Sequence, residues 1–216
     1  MHAPFTLASV RAHRVTVMAG LGAHEDGAIP PGWDYNPASW RQRMPIVVMA
    51  VVGFVMAAYL SLYQYRVVSD VWEPFFGEGS RTILDSPLSR AFPVSDAALG
   101  ALGYLADALA GVIGGVRRWR TMPWMVVIFG VLVGPLGLVS VALVVAQPVL
   151  YDSWCTICVA TAVISVLMIG PAMDEVLASL QHLRRARERE DRSLWRAFWG
   201  MADRRGVPRA RAQLGR

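Results

Sequence analysis

The chain has 216 residues, 55% of them hydrophobic and 17% charged, with 21 basic residues against 16 acidic ones and a net charge of +5. That balance excludes an ordinary soluble domain and fits a membrane protein. Every basic residue is arginine, and the excess is accounted for by membrane topology and attraction to anionic lipid rather than by nucleic acid.

Residues 1–23 lack a continuous apolar core, so no cleavable signal peptide is predicted and the first span serves as the targeting signal. Residues 24–44 read as a turn-rich lead-in, with Pro30-Pro31-Gly32 and Asn36-Pro37, and Trp33, Tyr35 and Trp40 fit an interfacial aromatic anchor. Four segments then approach or exceed the roughly 20 residues needed to cross a bilayer. They are 45–65, 93–116, 124–146 and 153–173; the second carries Asp96 near its start and Asp107 inside, and the others carry no charge before their ends. The expectation is an all-α integral membrane four-helix bundle over 45–173, preceded by a cytoplasmic segment (1–44) and followed by a basic cytoplasmic tail (174–216).

Arginine placement sets the orientation. Eighteen of the 21 arginines precede the first span, join the second to the third (Arg117, Arg118, Arg120) or follow residue 173. The loop between the first two spans holds only Arg66, Arg81 and Arg90, interleaved with acids, and the last link only Asp152. Loops rich in arginine stay in the cytoplasm, so both termini are predicted there and the start of the fourth span faces outward.

Within the spans, Gly111 with Gly115 and Gly130 with Gly134 give small-xxx-small spacings for close helix approach. Pro135 predicts a kink or local irregularity. Asp107 is the one carboxylate at membrane depth, where a proton-handling role and a neutral hydrogen-bonded role are both open. In the tail, Leu194, Trp195, Phe198, Trp199 and Met201 beside Arg192, Arg196, Arg204 and Arg205 suggest a helix lying in the headgroup region, and the last dozen residues read as disordered.

The two cysteines of the chain both fall in Trp154-Cys155-Thr156-Ile157-Cys158, where the fourth span begins. Thiols three residues apart on a helix lie about one turn from each other, and the positive end of the helix stabilises a thiolate. The pair suits dithiol–disulfide electron transfer in a compartment where disulfides persist. Plain helix packing is the alternative. Structural zinc would need four ligands, and His2, His13, His24 and His182 are far off in sequence; haem attachment would need His where Val159 stands. No metal site is expected.

The loop Gly77-Glu78-Gly79-Ser80-Arg81-Thr82-Ile83-Leu84-Asp85-Ser86, the following Pro93-Val94-Ser95-Asp96 leading into Leu99-Gly100-Ala101-Leu102-Gly103-Tyr104, and the final Cys155 and Cys158 pair together resemble the vitamin K epoxide reductase family in its bacterial branch, over about 46–169. The resemblance implies a multi-pass enzyme of the bacterial inner membrane whose dithiol passes electrons from an external thioredoxin-fold thiol protein to ubiquinone or menaquinone. It implies further that Cys158 lies next to the quinone, that Cys155 exchanges disulfides outward, and that Ser86 helps line the quinone site. The chain departs from the family in its first loop. A second cysteine pair of the relatives falls here near Trp72 and at Ser80, so either a partner attacks Cys155 directly or the cycle is incomplete. The alternative reading is a non-enzymatic tetraspan scaffold with a structural CxxC.

Overall fold

The structure, a computed structural model, describes residues 28–90, 93–188 and 194–201. The described residues are all helix, turn and loop, without a strand. The helices are α1 (Trp40–Gln64), α2 (Gly79–Leu84), α3 (Asp96–Val112), α4 (Arg118–Thr121), α5 (Pro123–Tyr151), α6 (Thr156–Glu188) and α7 (Leu194–Phe198). Three of them, α1, α5 and α6, are long and apolar enough to cross a membrane. The second expected span yields the shorter α3, 17 residues long. The segment 1–27, Arg192, Arg204, Arg205 and the chain end lie outside the described residues.

Helix α1 packs along α3 and also against α6, while α5 packs against α6 and more lightly against α3. One core joins Ile46, Ala50 and Ala57 of α1 to Ala101 and Tyr104 of α3, Phe129 and Val133 of α5, and Met168 and Ala172 of α6. Lipid is as apolar as these side chains, so close backbone approach and polar links have to hold the helices together. A Cβ on Gly53 would fall 2.5 Å from the Tyr104 ring, which can therefore lie flat on α1. Tyr104 donates its hydroxyl hydrogen to the Thr161 carbonyl at 2.5 Å and accepts from Ser165 at 2.7 Å, tying α3 to α6. Of the two predicted small-residue pairs, only Gly111 (against Val47) and Gly130 (against Val176) stand at such contacts; Gly115 and Gly134 have open space beside them. Helix α5 runs unbroken through Pro135.

The two ends of the molecule differ in chemistry. At one end Arg43 of α1 donates to the carbonyls of Gly111, Ile113 and Gly114, and Arg118 of α4 donates to Ile113 and Ala110, so two arginines take up carbonyls of the last turn of α3 and of the residues just past it. Arg118 also forms a two-pronged ion pair with Glu175 of α6, both side chains being only 2% exposed. The lead-in segment closes over this end: Trp33 donates to Gln181, and Tyr35 to Asp174. Helix α6 passes residue 173 without a break. In α7, Trp195 is exposed, while Trp199 just beyond it stacks near Trp124 with ring centroids 5.5 Å apart.

At the other end, Ser95 caps α3 by accepting from the Ala98 N–H at 3.0 Å. Gln64 donates to Ser89 and Asp96 at 2.6 and 2.7 Å, joining the end of α1 to the loop and to the start of α3. The three loop arginines are matched locally by acids: Arg66 and Arg90 pair with Asp85, and Arg81 pairs with Asp70 and Glu78.

Candidate functional site

Helix α5 ends at Tyr151, and Asp152 turns the chain with a left-handed backbone at φ 48°, a conformation that aspartate tolerates better than most residues. Helix α6 then starts at Thr156. Cys155 sits in the capping position: its carbonyl accepts from the Val159 N–H at 3.0 Å and its Sγ from the Cys158 N–H at 3.2 Å. The helix start thus brings the two sulfurs together, and the structure joins them as a disulfide with Cα atoms 5.2 Å apart.

The two cysteines have different surroundings. Cys155 is 0% exposed and packs with Leu60 and Tyr63 of α1, Val71 of the loop, and Ile83 and Leu84. Its N–H donates to Gln147 Oε1 at 3.0 Å. Cys158 instead lines a cavity of about 280 Å3. The walls are mostly apolar: Ala57 and Leu60 of α1, Leu99 and Gly100 of α3, Leu136, Val139 and Leu143 of α5. Polar groups at its edge come from Ser86, Ser89, Asp96, Gln147, Tyr151 and Thr161. The structure therefore brings Ser86 and Cys158 to one cavity and leaves Cys155 outside its lining.

A carboxylate closes the loop over the CxxC segment. Glu73 accepts from Ser80 Oγ at 2.5 Å, from the Thr156 N–H at 2.9 Å, from the Thr156 hydroxyl, and from the Phe75 and Phe76 N–H groups at 3.3 Å. It lies at the positive end of α6, where a negative charge is favoured. Gly79 has its Cα against the Trp154 carbonyl, with no room for a Cβ, so this approach requires glycine. Ser80, where the resemblance would place a loop cysteine, is fully buried and linked through Glu73 to Thr156, between the two cysteines in sequence. Glu73 and Gln147 were missed by sequence reasoning. The available signals were an acid seven residues before Ser80 in the loop that lacks cysteines, and a lone amide beside an otherwise apolar span.

Burial pushes the Glu73 carboxyl up, but the hydrogen bonds from Ser80, Thr156 and Phe75 outweigh it and bring its pKa from 4.5 down to about 2. A carboxyl titrating lower in the folded protein than in the open one holds its partners fully above pH 4.5 and lets go as the pH falls through about 2. Reduction of the Cys155–Cys158 disulfide by a membrane-impermeant reductant should thus stay slow and flat from neutral pH down to about 4.5 once the reductant's own pH dependence is divided out. In Glu73→Ala it should be several-fold faster throughout that range. Equal accessibility in the two proteins would show that Glu73 does not hold the loop closed.

With this geometry in place, comparison with known families decides the assignment: the model of the vitamin K epoxide reductase family matches residues 44–172, well over half of the chain. The chain belongs to that family. The matched region runs from the start of α1 into α6 and takes in the loop, the cavity and both cysteines. No curated protein and no solved structure matches the chain. The vitamin K epoxide reductase family is one of membrane oxidoreductases associated with quinones, and the helices long enough to span agree with a membrane location.

Proposed function

We propose that the chain is a quinone-linked thiol oxidoreductase of the bacterial inner membrane, built as a four-helix bundle with both termini cytoplasmic. The observation that carries this reading is that Cys158 lines an apolar cavity with polar groups at its edge while its disulfide partner Cys155 lies outside that cavity, under the external loop. The cavity is close to the size at which small-molecule sites begin, and its apolar walls with a few polar groups suit the head group of ubiquinone or menaquinone. Ser86, Ser89 and Tyr151 would orient it, with Cys158 alongside. A bound quinone supplies an acceptor for two electrons and two protons.

The protein's own steps are those of thiol exchange. The thiolate of an external thioredoxin-fold partner attacks Cys155 Sγ, forming a mixed disulfide and releasing Cys158 as thiolate at the cavity wall. The partner's second thiol resolves that bond, leaving the Cys155–Cys158 dithiol to be reoxidised at the cavity. Since Cys155 is fully covered, exchange requires the Glu73 contacts to open first. Full burial of Cys155 is also what favours a structural disulfide as the second reading.

Helix α3 completes the bundle as its shortest member. Seventeen residues rise about 26 Å, slightly less than the hydrocarbon thickness, and the Ser95 cap and the two arginines satisfy its ends. The arginine-rich end supports a cytoplasmic assignment, and the acid-matched arginines of the loop support an external one. Reporter fusions after Arg43, Arg120 and Arg184 should read cytoplasmic, and those near Glu78 and Asp152 external. A cytoplasmic signal at Asp152 would remove the proposed thiol exchange from the oxidising compartment.

The enzymatic reading is tested with purified protein, excess dithiol reductant and a quinone. Quinone absorbance should fall faster than in the direct reaction of reductant with quinone. No acceleration over that background would overturn the reading.

A further inference from the structure

Asp107 has no part in the chemistry above, yet it is 5% exposed and its Oδ1 has no hydrogen-bond partner among the described residues. The two arginines at this end of α3 direct their guanidinium groups to main-chain carbonyls between 110 and 114 and to Glu175. A carboxyl at this depth without a counter-charge is held most cheaply in its neutral, proton-carrying form. It also has somewhere to deliver that proton. Asp107 lines a second cavity of about 40 Å3 together with Tyr104, Ser140 and Ser165, room for about three waters at roughly 10–15 Å3 each. Gly100, Tyr104, Leu136 and Ser140 line both this cavity and the large one beside Cys158, so the two adjoin. On α3, Gly100, Tyr104 and Asp107 share one face, at i, i+4 and i+7.

We propose that Asp107 is a proton-relay residue for the quinone site, passing its proton through water in the small cavity, between the Tyr104, Ser140 and Ser165 hydroxyls. This rests on the quinone reading above and assigns the proton route that reading lacks. The step balances. Cys155 and Cys158 lose two electrons and two protons as their S–S bond forms, and the quinone takes up two of each to become quinol. The Cys155 thiol proton returns to solvent at the external loop, the Cys158 thiol proton passes to one quinone oxygen in the cavity it lines, Asp107 gives the second proton towards the other oxygen, and a proton from solvent returns through water in the small cavity to the carboxylate.

The test uses purified full-length protein in lipid vesicles and has two arms. In the first, an apolar carbodiimide, which modifies protonated carboxyls, should leave an adduct on Asp107 by peptide mass analysis, and added quinone should suppress it. In the second, Asp107→Asn should accept electrons from reductant into Cys155–Cys158 as completely as wild type, by thiol count, yet form quinol about a hundredfold more slowly, in the range for loss of a proton-transfer group. Asp107→Glu should recover most of the rate. Ser165→Ala, which alters the small cavity and leaves the carboxyl in place, should slow the reaction several-fold and guards against a folding defect in Asp107→Asn. Absence of the adduct, or full-rate quinol formation by a folded Asp107→Asn, overturns the relay alone. Failure of the wild type to form quinol overturns the quinone reading and the relay with it.

Discussion

Replacing Cys158 with alanine should bring dithiol-driven quinol formation down to the rate of the direct reaction between reductant and quinone, and Cys155→Ala should do the same. The expected loss is complete because the route has no bypass: these are the chain's only two cysteines, and Cys158 is the one that lines the large cavity. A lone thiol can neither form the disulfide nor give up two electrons in one step. Ser80→Ala should stay near the wild-type rate, since it removes one of several donors to Glu73. Cys158→Ser adds a second reading. With the resolving thiol gone, a mixed disulfide between Cys155 and an external thiol protein should accumulate in cells. A well-expressed Cys158→Ser protein that traps no partner would favour the structural-disulfide reading.

The second large effect concerns stability. Arg118→Ala or Glu175→Ala should cost about 3–5 kcal/mol, because each leaves the other charge buried and unpaired. Arg118→Ala also strips a donor from the end of α3, at the Ile113 carbonyl. Thermal unfolding in detergent, followed by loss of helical signal, measures both. Replacing the pair together, as Arg118→Met with Glu175→Leu, should recover much of the loss, since an apolar pair of similar volume often does as well as a buried ion pair. A single-variant cost below about 1 kcal/mol, the range of an exposed pair, would show that the contact does not pin α4 to α6.

Much of this arrangement was legible in the sequence because lipid imposes simple rules. Uncharged runs marked α1, α5 and α6. The cysteine spacing marked the pair that the structure joins as a disulfide, and the family resemblance pointed to Ser86, which lines the large cavity with Cys158. The contacts that position the site were not legible. Glu73 lies 83 residues from Thr156, and nothing in the periodicity of either segment signals that they meet. Gly53 was not singled out because it lacks a second glycine four positions away, although Ala57 stands there and the Tyr104 ring requires residue 53 to be small. Arg118 read only as an orientation signal, yet it is buried and paired; a count of arginines per loop carries topology and says nothing of which guanidinium turns inward.

The central claim is that electrons leave the Cys155–Cys158 dithiol for a quinone. Its most direct test is a single turnover: the protein is fully reduced, freed of reductant, and mixed without oxygen with an equal amount of quinone while free thiols and quinone absorbance are followed together. The account predicts that the two thiols disappear as the disulfide forms, with one quinol made per disulfide. Thiols that persist beside unreduced quinone would contradict it.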